Sequence, residues 1–243
     1  MKTQRICNVF SLIINLSIVY FTISGIAYSF RTDVIIDDPW YGFVGFASLK
    51  FFTNLSNILV AIASFIMVIF NIKSLLKDRR EYPDWALILK YLATVAVAVT
   101  FVTVVLFLGP GSIAEGRSYF EMFAHNNFFL HFFTPVLAVV SFVLFEKIDY
   151  FQFRDALWGV LPVLLYAIVY FFMVVVVGTE YGGWPDFYGF TFGGNFIAAV
   201  CSCIVMLSGT WGISLLIRYM QQKFSLRKGT IFKGVPKKKK EGE

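Results

Sequence analysis

Long apolar runs alternate with short polar stretches along the whole chain. Six runs reach the roughly 20 residues that a helix needs to cross a bilayer, at about 8 to 30, 48 to 70, 86 to 108, 123 to 145, 157 to 177 and 191 to 217. None alternates with period two, so the pattern predicts helices and not a barrel. An even number of passes puts both termini on one side. Lys2, Arg5, Lys73, Lys77, Arg79, Arg80, Lys147, Arg154 and the basic tail flank one set of helix ends, against Arg31, Lys50 and Arg117 at the other. By the positive-inside rule both termini are then cytoplasmic. The expectation is an all-α polytopic bundle of six transmembrane helices over residues 1–218. A basic tail over 219–243, with Lys237 to Lys240, is expected to be disordered beside anionic lipid.

Composition agrees with that reading. Hydrophobic residues make up 58% of the chain and charged residues only 15%, and the mean hydropathy is +0.73, which excludes an ordinary soluble domain. The net charge of +6 sits beside apolar segments and in the tail, where topology explains it, so no nucleic-acid partner is expected. Cys7, Cys201 and Cys203 form no disulfide framework and read as packing residues. The first run is too long for a signal-peptide core and reads as a retained helix. The host membrane is expected to be a bacterial cytoplasmic membrane, or the endoplasmic reticulum if the source is eukaryotic.

Two stretches hold most of the polar groups inside these runs. In Lys50-Phe51-Phe52-Thr53-Asn54-Leu55-Ser56-Asn57, the spacing puts Thr53, Ser56 and Asn57 on one helical face. In the second stretch, Asn127, His131 and Thr134 share a face of the fourth helix, while His125 points nearer the headgroups. Pro135 has no N–H for the carbonyl of His131, so the helix is expected to kink or take in a partner there. Polar side chains at such depth serve interhelical hydrogen bonding or a functional site. Counting roughly 1.5 Å per residue puts Thr53 about 7 Å and His131 about 12 Å below the starts of their helices, in the same outer half of the membrane.

The connections add aromatic material. Asp33, Asp37 and Asp38 followed by Trp40 and Tyr41 suggest a loop with an interfacial edge. Gly109-Pro110-Gly111 is expected to stop the third helix, and Asp84 to sit at its positive dipole end. The stretch Gly178 to Gly194 has no basic residue, and its glycines and aromatics, with Pro185, suggest a lid over the mouth of the bundle. Asp186 is its central carboxylate and Trp184 its central indole. Gly209 and Gly212 are expected to allow close packing of the last helix. No metal-ligand spacing, phosphate loop or nucleophile elbow is present, and no cofactor is expected.

The Phe-Phe-Thr-Asn-Leu-Ser-Asn opening of the second helix, the His-Phe-Phe-Thr-Pro segment of the fourth and the Gly-Gly-Trp-Pro-Asp-Phe loop together resemble the androgen-induced gene family. That family includes the androgen-dependent regulator of tissue factor pathway inhibitor and short bacterial relatives, and the resemblance covers about 45 to 215. It implies an intramembrane threonine hydrolase of lipid esters, among them fatty acid esters of hydroxy fatty acids. Thr53 falls on the family's nucleophile and His131 on its partner histidine. A threonine hydroxyl needs a base, and neutral imidazole suits that role. Asn54, Asn57, Asn127 or Asn195 could stabilise an oxyanion, and Thr134 is a rival to Thr53. Transport, lipid binding through the same polar face, and membrane acyl transfer are the alternatives.

Overall fold

In the computed structural model, residues 2–30, 45–77, 82–146, 148 and 151–226 are described. Trp40, Tyr41 and the three aspartates before them, and the tail beyond Leu226, lie outside the described residues. The described chain is helical and contains no strand. Five helices are long and apolar enough to cross a membrane: α1 (Lys2–Tyr28), α2 (Phe52–Leu76), α3 (Asp84–Ala114), α5 (Arg154–Val177) and α6 (Phe196–Phe224). The fourth apolar run forms a shorter helix, α4 (Phe129–Phe145). This architecture fits an integral membrane protein.

α3 is the axle. Its side chains from Ala93 to Val99 are almost wholly enclosed, and it packs on α2, α4, α5 and α6, with α1 closing the other side of α2 and α4. One apolar cluster joins Ile18, Val60, Ala63, Ala93, Val97 and Ala138 from α1 to α4. A second joins Tyr91, Val95, Phe142, Phe151, Val163 and Ile217 from α3 to α6. The end carrying the start of α1 is called basal below, and the opposite end apical. α5 and α6 turn most of their apolar surface outward, with Ile168, Val176, Ile197 and Val205 each more than half exposed. Gly209 and Gly212 correct the expectation for α6: a Cβ at either would meet nothing, because both lie on the outward face. The close approach is at Gly159 of α5, whose missing Cβ leaves room for Ser214 and Val95. The three cysteines divide as well: Cys7 is buried, Cys203 half-buried and Cys201 exposed.

Two prolines shape the apical half. Pro110 and Pro135 each follow a wide π turn, Val104–Leu108 and Phe129–Phe133. In a π turn each amide pairs five residues back, so a proline leaves the carbonyl five residues before it without its usual donor. Outside side chains meet both carbonyls: Tyr119 Oη donates to Val105 O at 3.0 Å and Asn57 Nδ2 to Leu130 O at 3.0 Å. The sequence pointed to the carbonyl of His131, and the π register moves the vacancy to Leu130.

Candidate functional site

The apical polar site is built where α2 begins. A 3-10 turn, Gly45–Lys50, leads to Phe51, whose extended backbone starts the helix without a side-chain cap of its own. The cap comes from the loop before α6: the amide of Phe52 donates to Tyr188 Oη at 3.0 Å. Asn54 is buried and secures the preceding turn through Ser48 O at 2.8 Å. Neither the Thr53 nor the Asn54 amide has an acceptor among the described residues, as expected of a helix first turn.

The polar face of α2 divides by task. Ser56 Oγ meets Thr100 Oγ1 at 2.9 Å, and Asn57 Nδ2 donates to Thr53 O at 2.8 Å and to Leu130 O. These two residues make the interhelical bonds expected of membrane Ser and Asn. The Thr53 hydroxyl has no hydrogen bond among the described residues. It lines an apolar cavity between α2, α3, α5 and α6, roofed by Tyr188 and Phe190, that holds about 700 Å³ of atom-free space with its mouth included. The cavity is narrow, since water-sized atoms fit in only about 60 Å³ of it. Most other hydroxyls on its wall are engaged: Tyr166 donates to Lys50 O, Tyr170 to Asp186, Ser202 to Ala198 O. Thr103 on α3 is the other lining hydroxyl without a partner among the described residues, and nothing in the sequence singled it out.

His131 lies inside the π turn of α4, and its Nδ1 is 2.7 Å from Met122 O. A carbonyl only accepts, so the proton sits on Nδ1 and the Nε2 lone pair is left available. No hydrogen bond joins His131 to Thr53, and His131 is not on the cavity wall. Asn57 connects them indirectly, because it bonds the backbone of Thr53 and of Leu130, the neighbour of His131. Thr134, the rival to Thr53, follows the π turn directly, where its hydroxyl could bond a carbonyl of the preceding turn. Instead its Oγ1 is buried without a partner, as is Asn57 Oδ1.

The loop from Gly178 to Asn195 packs on this site. Asp186 accepts from Tyr170 Oη at 2.6 Å, Thr191 Oγ1 at 2.6 Å, Thr191 N at 2.8 Å and Phe190 N at 3.0 Å. Burial alone would raise its pKa, but these hydrogen bonds outweigh it and hold the carboxyl below its usual range. Burial pushes the Tyr188 phenol up to about 12, although its bonds with Phe52 and Tyr166 pull the other way. Trp184 packs its ring against Tyr170 and Phe187, with the Lys50 ammonium 6.0 Å from its centroid. Of the other expected donors, Asn195 is exposed and caps α6 by accepting from Ala198 N at 3.1 Å, and Asn127 turns the chain into α4 through its backbone N–H to Ala124 O.

A second polar centre, in the basal half, was missed by sequence reasoning. Lys90 Nζ donates to Asn15 Oδ1 at 2.7 Å and to Ser64 Oγ at 2.6 Å. Glu146 Oε1 accepts from Asn15 Nδ2 at 2.5 Å, Ser141 Oγ at 2.8 Å and Ser11 Oγ at 3.1 Å. Asn71 reaches Ser11 Oγ at 3.1 Å and accepts from Tyr82 Oη. Lys90, Asn15, Glu146, Ser11, Ser64, Asn71 and Ser141 are all wholly buried. Three signals were present: Lys90 is the one charge inside the third apolar run, Asn57, Ser64 and Asn71 recur every seven residues, and Asn8, Ser11 and Asn15 follow helical spacing.

Among the described residues, no cluster of three His, Cys, Asp or Glu side chains could hold a metal ion. Comparison of the chain with family models, curated proteins and solved structures returned no match.

Proposed function

We propose that this protein is an intramembrane hydrolase of lipid esters in which Thr53 is the nucleophile and His131 its base. The observation that carries this reading is that the Thr53 hydroxyl, on the wall of an apolar cavity, has no hydrogen bond among the described residues, at a helix start whose Thr53 and Asn54 amides have no acceptor among them either. Thr53 Oγ1 attacks the ester carbonyl and its proton passes to His131 Nε2. The Thr53 and Asn54 amides hold the developing oxyanion. Nε2 then returns the proton to the departing alcohol, and water releases the acyl group by the same steps. Met122 O orients the imidazole as the third member of a triad would. The chemistry requires Nε2 to come within roughly 3 Å of the hydroxyl, a contact that commonly tightens only with substrate bound.

The motif resemblance supports a place in the androgen-induced gene family, with fatty acid esters of hydroxy fatty acids as the substrate class. Acyl transfer would differ only in an alcohol replacing water. A lipid-binding protein could use the same cavity, but it would have no use for free amides beside a free hydroxyl. We also read six passes with both termini cytoplasmic, supported by Arg5, Lys73, Lys77, Arg154, Arg218 and Lys223 at the basal end. Finding either terminus reachable only from outside sinks that topology.

The test compares Thr53→Ala, His131→Ala, Thr103→Ala and Thr134→Ala on a fluorogenic medium-chain acyl ester in detergent. Thr53→Ala and His131→Ala should each abolish turnover, without further loss in the double variant. Full activity in folded Thr53→Ala protein, or loss confined to Thr103→Ala or Thr134→Ala, overturns the assignment.

A further inference from the structure

A second, wider space adjoins the Thr53 cavity. Between the apical halves of α5 and α6 lies an open groove of about 1400 Å³ of atom-free space, including what is open to the outside. Its walls are apolar, formed largely by Val175, Val176, Phe196, Val200 and Ile204, and it bears no charged side chain. Phe171, Cys203 and Leu207 line both the groove and the cavity. They therefore stand between the two spaces, where a neck joining them would lie. Polar atoms enter the groove at its apical end, where Thr191 and Asn195 contribute to the lining.

The two helices that form this groove are long and apolar enough to cross a membrane, so what lies against it is hydrocarbon. A slot that is apolar along its length and polar at its apical end has the form of a single lipid chain lying below its headgroup. We propose that one acyl chain of a membrane lipid occupies the α5–α6 groove and passes through the neck at Phe171, Cys203 and Leu207 to reach Thr53. This rests on the hydrolase reading for what happens at Thr53, but binding of the chain does not. The neck sets specificity in turn. A chain that threads it is unbranched there, and bulk added at Leu207 or Cys203 excludes long chains before short ones.

The experiment uses the full chain reconstituted in phosphatidylcholine vesicles in which a fraction of the lipid carries a diazirine on one acyl chain. After illumination, crosslinked peptides are mapped by mass spectrometry. The expected result is labelling concentrated on 171–176 and 199–207, with a second set on the cavity wall at 99–108. Leu207→Trp should cut the cavity-wall set by about tenfold, since a filled neck leaves no room for a chain, and should spare the groove set. Val205→Trp, on the exposed face of α6 outside both spaces, should change neither. Equal labelling of all outward faces, including Ile62, Phe65 and Ile69 of α2, overturns the proposal. So does cavity-wall labelling that survives Leu207→Trp. Thr53→Ala separates the two readings: intact labelling with intact ester turnover removes the hydrolase and keeps the portal, whereas lost turnover with evenly spread labelling does the reverse.

Discussion

The basal and apical polar centres are built on the same helices from the same kinds of residue, and they use their hydrogen bonds in opposite ways. In the basal centre the Asn15 amide sits between the Lys90 ammonium and the Glu146 carboxylate, and serines fill the remaining directions. Among the described residues, only Glu146 Oε2 of this group is left without a donor. Lys90, Glu146, Asn15, Asn71 and the three serines are all wholly buried. In the apical centre, Ser56 and Asn57 hold helices together while Thr53 and Thr103 keep unbonded hydroxyls against an apolar space. Intramembrane charge is the usual first marker of function. Here the charged centre is the better satisfied one and joins α1 to α4, whereas the apical centre keeps hydroxyls without partners among the described residues.

That contrast breaks if the basal charges prove dispensable to the fold. Lys90→Met leaves a buried carboxylate without its counter-charge and should cost about 3–5 kcal/mol, with much of the loss recovered in Lys90→Met/Glu146→Gln. Thermal unfolding in detergent measures it. Ester turnover per folded molecule should stay near wild type in both variants. An unshifted midpoint for Lys90→Met, or turnover lost in proportion to Lys90 and not to folding, would transfer the functional role to the basal centre.

The next effect is smaller and tests the clamp. Asn57→Leu keeps the volume but removes the donor to Leu130 O, which Pro135 has already deprived of a backbone partner. A buried carbonyl left unbonded should cost about 1–3 kcal/mol. Because Asn57 also ties the Thr53 turn to the turn holding His131, turnover should fall with it. Thr53→Ala provides the comparison: its hydroxyl bonds nothing among the described residues, so stability should move by less than about 0.5 kcal/mol while activity disappears. A stable, fully active Asn57→Leu protein would separate the clamp from the site.

The helices, the lid-like loop and the polar face of α2 were legible in the sequence because each depends on local pattern. Apolar length, the glycine and aromatic content of 178–194, and the spacing of Thr53, Ser56 and Asn57 all act within one segment. What the pattern did not show is set between segments. The π turn before Pro135 depends on α2 offering an amide, so the carbonyl that is met moves from His131 to Leu130. Glu146 stands just past the apolar run that ends at 145 and reads as loop. It is nevertheless wholly buried where α4 ends, and Phe151 beyond it is enclosed as well. Lys90 was visible as a lone charge, but its partners come from α1 and α2 and no spacing within α3 announces them. Gly209 and Gly212 show the converse, since small residues at helical spacing permit close packing without requiring it.

The smallest expected effect concerns the lid and reports on the apical centre alone. The Asp186 carboxylate gathers Tyr170, Phe190 and Thr191, and through the backbone of Tyr188, which also bonds Tyr170 Oη at 3.1 Å, it fixes the residue that caps α2. Its pKa is held below that of a free carboxyl, near 3.9 in an unfolded chain. A depressed folded value means the carboxylate's contribution to loop anchoring is complete above the unfolded value and is lost as the pH falls through the folded one. The amides of Phe190 and Thr191, both donors to Asp186, should therefore lose exchange protection only below about pH 4, after correction for intrinsic exchange. Asp186→Asn should show weaker protection at neutral pH and no acid transition. The two amides read the carboxylate directly, while the basal network has no exposed member through which the same protons could reach it. Protection that declines in step with global unfolding, or that persists unchanged in Asp186→Asn, would mean the loop is held by its aromatic packing and not by the carboxylate.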